Sequence, residues 1–120
     1  MQYMMLIYLD ENSLSESVRN QCYADSADYA RELQSQGKLL AVAPLQPTST
    51  ATSVRHTGGQ RLVTDGPFAE TREQLGGFFL IEANNLDEAI EIAGQIPAGR
   101  WGTVEIRPLV QLRGLPAVAG

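Results

Sequence analysis

The stretch "TDGPFAETREQLGGFFLIEA", Thr64–Ala83, joins two very different kinds of chain. Its first half is a corner built from Asp65, Gly66, Pro67 and Phe68. Its second half opens with Gly76 and Gly77 and turns almost purely apolar as "GFFLIEA" (77–83). A short apolar run that does not alternate with polar residues reads as a strand buried on both faces. "YMMLIYL" (3–9) is a second such run, ended by Asp10-Glu11-Asn12. It puts Tyr3, Met5 and Ile7 on one face and Met4, Leu6 and Tyr8 on the other, because strand side chains alternate.

The rest of the chain arranges itself around these two strands. Ser13 with Glu16 three residues later has the spacing of a capping box, which predicts a helix from there to Gly37, with room for a break near Asp25. Val18, Cys22, Tyr29, Ala30 and Leu33 make its inner face, and Gly37 stands where a left-handed C-cap is expected. "KLLAVAPL" (38–45) reads as a strand ended by prolines. "ATSVRHTGGQRLVTD" (51–65) reads as a hairpin turning at Gly58-Gly59, with His56 opposite Arg61, Val54 opposite Val63 and Thr52 opposite Asp65. "NLDEAIEIAGQIP" (85–97) is a helix capped by Asn85, boxed by Glu88 and stopped by Pro97, with Leu86, Ala89, Ile90, Ala93 and Ile96 at helical spacing. "GTVEIRPLV" (102–110) is the last strand.

Strand, helix, strand, hairpin, strand, helix, strand predicts an α+β fold. The layout is a ferredoxin-like split βαβ: a βαββαβ core with an extra hairpin strand. Residues 1–110 form a single domain and 111–120 a tail. Two helices cover one face of such a sheet, so the second apolar face predicts a homodimer: two sheets meeting in a barrel-like α+β assembly.

Composition limits the function classes. The 120 residues suffice for one core without staples, and 43% are hydrophobic. The formal charge is −5 with scattered lysine and arginine, which argues against a nucleic-acid surface. Cys22 is the one cysteine, and no ligand spacing suggests a metal, so no cofactor is expected. No basic segment precedes the first apolar run and no run reaches membrane-spanning length, so a cytoplasmic protein away from membranes is expected.

Asp65 has two readings. It can hold its corner by bonding the backbone amide near Phe68, as Asx turns do. Alternatively it rims a cleft as a proton acceptor, with Glu70 and Glu73 near it in sequence. Phe68 would plug the corner from below. Thr71 and Gln74 predict one helical turn before Gly76. Glu105 and Arg107 point away from Val104 and Ile106, toward the second face, either as an ion pair or with Arg107 and Tyr8 binding a small anion. Arg100, beside Trp101, is placed at the edge of the same opening. His56 shares a strand face with Asp65 but sits four residues along it, about 13 Å away, too far for a bond.

"LVTDGPFAETREQLGGFFLIEA", "LDEAIEIA" and "IPAGRWGTVEIRPL" together resemble the YCII-related family, in its DGPF-domain branch. The resemblance spans residues 1–110 and implies a ferredoxin-like dimer with a cleft between sheet and partner. It also implies a small-molecule role, since relatives act on chlorinated or lactone-type compounds and shorter members use a His–Asp pair. Ser26 stands here where those members carry the histidine. Two functions follow. One is a binder or enzyme for a small anionic or lactone-like molecule near Asp65. The other is a non-catalytic interaction module, since many DGPF proteins are encoded beside extracytoplasmic-function sigma factors.

Overall fold

In the computed structural model, which describes residues 1–116, the order is β1 (Gln2–Leu9), α1 (Glu16–Ser35), β2 (Leu39–Pro44), β3 (Thr52–Thr57), β4 (Gln60–Asp65), β5 (Gln74–Glu82), α2 (Leu86–Gln95) and β6 (Gly102–Pro108). Four strands form one antiparallel sheet in the order β2-β5-β1-β6. β5 lies between β1 and β2, so the unit β1-α1-β2 is a split βαβ and the fold is the expected ferredoxin-like α+β layer pair. β3 and β4 pair only with each other, in the expected register. The hairpin therefore adds no strand to the main sheet. Both of its strands stand outside it.

The helices start and stop for local reasons. Ser15, not Ser13, caps α1 by accepting from the Val18 amide at 3.2 Å. Ser13 instead donates to the Asp10 carboxylate inside a short 3-10 turn, Glu11–Ser13, and α1 runs on through Asp25 without a break. At its other end, Lys38 N–H reaches Leu33 C=O and Gly37 N–H reaches Gln34 C=O, the paired bonds of a Schellman motif. Asn85 caps α2 by accepting from the Glu88 amide at 2.9 Å. The Glu88 carboxylate closes its box on Asn84 rather than on Asn85.

The core lies between the sheet and the helices. Tyr3, Met5 and Ile7 of β1 and Phe79 and Ile81 of β5 meet Cys22, Tyr29, Ala30 and Leu33 of α1 and Ala89 and Ile92 of α2. On α2 the inner face is set by Ala89, Ile92 and Ile96. Leu86 and Ile90, expected inside, are exposed, because the helix rolls its wider apolar stripe partly outward. On the other side of the sheet lie Met4, Leu6, Tyr8, Phe78 and Leu80, and neither helix covers them. The Val104 and Ile106 side of β6 packs on the core, and Glu105 and Arg107 share the uncovered side.

One contact ties the two helices together. Tyr29 tilts against Phe79 with ring centroids 6.2 Å apart, and its hydroxyl donates to the Ile92 carbonyl at 3.1 Å. That carbonyl belongs to the last turn of α2, where Ile96 N–H turns to Ala93 instead. The phenol thus satisfies a helix-end acceptor that would otherwise be buried and unpaired. Burial first, and the Glu32 carboxylate second, push the Tyr29 phenol up to about 12. An unfolded tyrosine titrates near 10. The stability contributed by the neutral phenol is therefore complete below about pH 10. It is lost as pH rises toward about 12, since the unfolded chain releases its proton first. Tyr29→Phe is expected to cost about 1–2 kcal/mol near neutrality. It should also flatten the alkaline fall, as read by denaturant melts from pH 8 to pH 12. Parallel alkaline curves for parent and variant would assign that fall to another group.

Candidate functional site

The Asp65 corner is held by groups other than Asp65. Gly66 adopts φ +97°, open to glycine and strained for other residues. Its amide donates to the Ala51 carbonyl at 2.8 Å, and its carbonyl accepts from the Ser53 hydroxyl at 2.7 Å. Among the described residues the Asp65 side chain makes no hydrogen bond, so the Asx bond expected for it is not formed. Phe68 is 78% exposed and plugs nothing. Its ring carries the Arg55 guanidinium at 5.6 Å. Residues 70–73 make no helical turn. The Thr71 hydroxyl donates to the Glu73 carbonyl and the Gln74 side-chain Nε2 donates to Thr71 C=O, and the chain runs straight into β5.

The remaining sequence candidates separate into two groups. Tyr8 lies on the uncovered sheet face opposite Thr103 and Leu75. Glu73 reaches the same place, accepting from the Thr103 hydroxyl at 2.9 Å. Arg107 shares that face, and its Nε donates to Glu105 at 2.7 Å, the ion pair anticipated for it. Arg100 is on the helix side instead, bonded to Asp25 of α1 at 3.2 Å and 5.9 Å from the Trp101 ring. Tyr8, Glu73 and Arg107 thus stand on one surface, Arg100 on the other, and Asp65 at the foot of the hairpin.

An apolar cleft lies elsewhere. Between α1 and the β2–β5 side of the sheet is a cavity of about 240 Å³. Cys22, Ser26 and Ala30 supply its helical wall, Val42 and Phe79 its sheet wall, and Ile7 its floor. The spacing 22, 26, 30 keeps these α1 residues on one stripe. No charged side chain lines it, and its polar groups are the Ser26 and Tyr23 hydroxyls and the Cys22 thiol. Burial pushes the Cys22 thiol up, against a lowering hydrogen bond from Ser26, which keeps it protonated and poorly nucleophilic near neutrality. Among the described residues no cluster of three or more His, Cys, Asp or Glu is placed to hold a metal ion. No helix among them is long and apolar enough to cross a membrane.

The sequence signal for this cavity was present at one position. Ser26, the position that the resemblance sets against a histidine of shorter members, lines it. Asp65, the residue that draws the eye in the sequence, does not.

Comparison with known proteins agrees with the fold. The chain belongs to the YCII-related domain family, whose model matches residues 1–113. It is 40% identical over 114 residues to an uncharacterised protein of Rhizobium meliloti (strain 1021), covering 91% of this chain and 92% of that one. Its structure is similar to that of 5-chloro-2-hydroxyhydroquinone dehydrochlorinase (TftG) from Burkholderia phenoliruptrix AC1100, solved in complex with 2,5-dihydroxybenzoquinone. The TM-score is 0.59 at 18% identity, covering 94% of this chain and 97% of that one. A likeness at that identity speaks for the fold.

The bonding at the corner gives a direct expectation. Ser53→Ala should lower stability by about 1 kcal/mol, because the Gly66 carbonyl loses its donor. Asp65→Ala should change it by less than about 0.5 kcal/mol, as for an exposed side chain without partners. Chemical denaturation of both variants checks this. A large loss in Asp65→Ala with none in Ser53→Ala would restore Asp65 as the corner's fastening.

Proposed function

We propose that this protein binds a small, compact ring molecule in the cavity beneath α1, as a DGPF-type member of its family. The supporting observation is the cavity itself: about 240 Å³, lined almost wholly by apolar groups and edged by two hydroxyls. An apolar cavity of about 150 Å³ takes one benzene, so this one has room for a six-membered ring with one or two substituents. The position of Ser26 supports the same reading, and so does the quinone bound by the TftG dehydrochlorinase. The cavity holds no carboxylate or imidazole, and its thiol is kept protonated, so binding has more support than acid–base turnover. A second reading keeps the ligand near Asp65, with Tyr8, Glu73 and Arg107 as contacts and Asp65 as the acid. In its favour, three of these four groups share the uncovered sheet face.

4-Chlorophenol is a suitable probe. Ala27 is exposed at the cavity mouth, so Ala27→Trp plugs the space without entering the core. Binding of the probe, followed by titration calorimetry, should fall at least about tenfold in Ala27→Trp. It should hold within about twofold in Asp65→Asn and Arg107→Gln. The reverse pattern moves the site to the Asp65 cleft. No binding to the parent at millimolar probe favours the interaction-module alternative.

The working unit we propose is a homodimer joined through the uncovered sheet face. Four strands at about 4.8 Å spacing and about seven residues long present a flat footprint of roughly 450 Å². That falls short of the roughly 800 Å² per partner of a stable interface. The β3–β4 hairpin offers the remainder. All its residues but Ser53 are exposed, including Val54, Leu62 and Val63. An isolated two-stranded hairpin is marginal in water and gains from a partner surface. The radius of gyration is 16.0 Å, against about 13.6 Å for a compact chain of this length. Light scattering should give a dimer at micromolar concentration, and Leu6→Asp should dissociate it. A monomeric parent, or a folded dimeric Leu6→Asp, removes this interface.

A further inference from the structure

Next to the cavity lies a smaller recess of about 50 Å³, and the two share Leu9, Cys22, Tyr23 and Gly76 as walls. The recess differs in carrying charge: Arg19 of α1 and the Glu11 side chain both line it. Most arginines with a described partner are committed to a carboxylate or a ring. Arg31 pairs with Asp28, Arg100 with Asp25, Arg107 with Glu105, and Arg55 lies over Phe68. Arg19 makes a single long bond, Nη2 to the Glu11 carbonyl at 3.4 Å, and no ion pair.

The carboxylate that lines the same recess is already used. Glu11 Oε1 accepts from the Thr48 amide at 2.9 Å and Oε2 from the Thr48 hydroxyl at 2.7 Å. Those two bonds turn the carboxylate toward the loop after β2 and satisfy it there. A guanidinium carries five N–H donors in a planar fork. The Arg19 fork is half-buried, lacks an ion-pair partner, and lines the recess that adjoins the apolar cavity. A free, partly desolvated guanidinium in that position is matched by an oxyanion.

Building on the cavity reading, we infer that the ligand is a ring compound bearing one anionic substituent, a carboxylate or an ionised ring hydroxyl, with the ring in the cavity and the oxyanion on Arg19. The division of labour is physical. The cavity offers no charge, so it takes the ring and would penalise a buried anion. The recess is too small for a ring but offers donors. A substituent leaving the ring past Tyr23 and Gly76 passes from one to the other. This places the anion site on the helix side of the sheet, at Arg19, and not at Arg107, whose guanidinium is paired with Glu105.

Benzoate and benzamide share ring and shape and differ in charge, so they separate the two parts of the reading. Titration calorimetry on the full chain at pH 7 should show benzoate bound at least about tenfold more tightly than benzamide. Arg19→Gln should erase that preference while leaving benzamide affinity within about twofold, and Arg19→Lys should retain part of it. Arg107→Gln should leave the preference intact. Ala27→Trp should weaken both probes together. Equal affinities in the parent, or a preference that survives Arg19→Gln, overturns the assignment of Arg19 and leaves the cavity reading standing. Failure of both probes to bind the parent at millimolar concentration overturns the cavity reading and this inference with it.

Discussion

Two helices can shield only one side of a four-stranded sheet, and in this protein the two central strands are apolar on both. That constraint organises the molecule. β1 and β5 lie at the centre of the order β2-β5-β1-β6, so each has a neighbour on both edges and needs cover on both faces. α1 and α2 provide it on the side of Met5, Phe79 and Ile81, which are essentially solvent-free. On the other side Leu80 reaches 6% exposure only through its sheet neighbours, while Met4, Leu6 and Phe78 stay half-open. An apolar surface of this kind is the one the proposed dimer would bury, with the hairpin beside it extending that surface.

The covered side has a division of its own. α2 has its end fastened to α1 by the Tyr29 hydroxyl. α1 is long and presents small side chains, Cys22, Ser26 and Ala30, toward the β2 edge. Small residues facing Val42 and Phe79 leave a gap that larger ones would fill, since interiors otherwise pack close to crystal density. The cavity therefore follows from side-chain size along one helical stripe. Opposite it, β5 runs through Gly76 and Gly77 with a register shift against β1 between Ile7 and Tyr8. The same glycine pair that opens the decisive strand in the sequence also thins the cavity's sheet wall.

Most of the fold was legible in the sequence, because strand alternation, capping and the Gly-Gly turn are local signals. The hairpin register followed from counting outward from Gly58-Gly59. The misreadings have local causes too. Ser13 and Ser15 both precede an acidic or polar helical start, and the Asp10 carboxylate draws Ser13 into a separate turn. Thr71 and Gln74 have capping-box spacing, yet both side chains bond carbonyls, so no helix begins. Gly102 looked ordinary, but a Cβ there would lie 1.9 Å from the Tyr8 carbonyl, so β6 can approach β1 only at a glycine. That proximity depends on tertiary packing and leaves no trace in spacing.

The candidate site was harder to read, for a reason that concerns what chemistry looks like in a sequence. Asp65 stands out because it sits among glycine and proline, yet its surroundings put it at the foot of an exposed hairpin, where water solvates it. A binding cavity is made of absences: small residues where large ones would fit, and no charge where a ligand's ring must sit. Ser26 carried the positional hint, through the resemblance that sets it against a histidine of shorter members. The Ser26 hydroxyl is a polar group on the cavity wall, while Arg19 and the Thr48-bonded Glu11 carboxylate lie on the adjoining recess. On the proposed reading, recognition and proton transfer come apart: the groups assigned to the ligand lie along α1, and the one carboxylate considered for chemistry lies at the root of the hairpin.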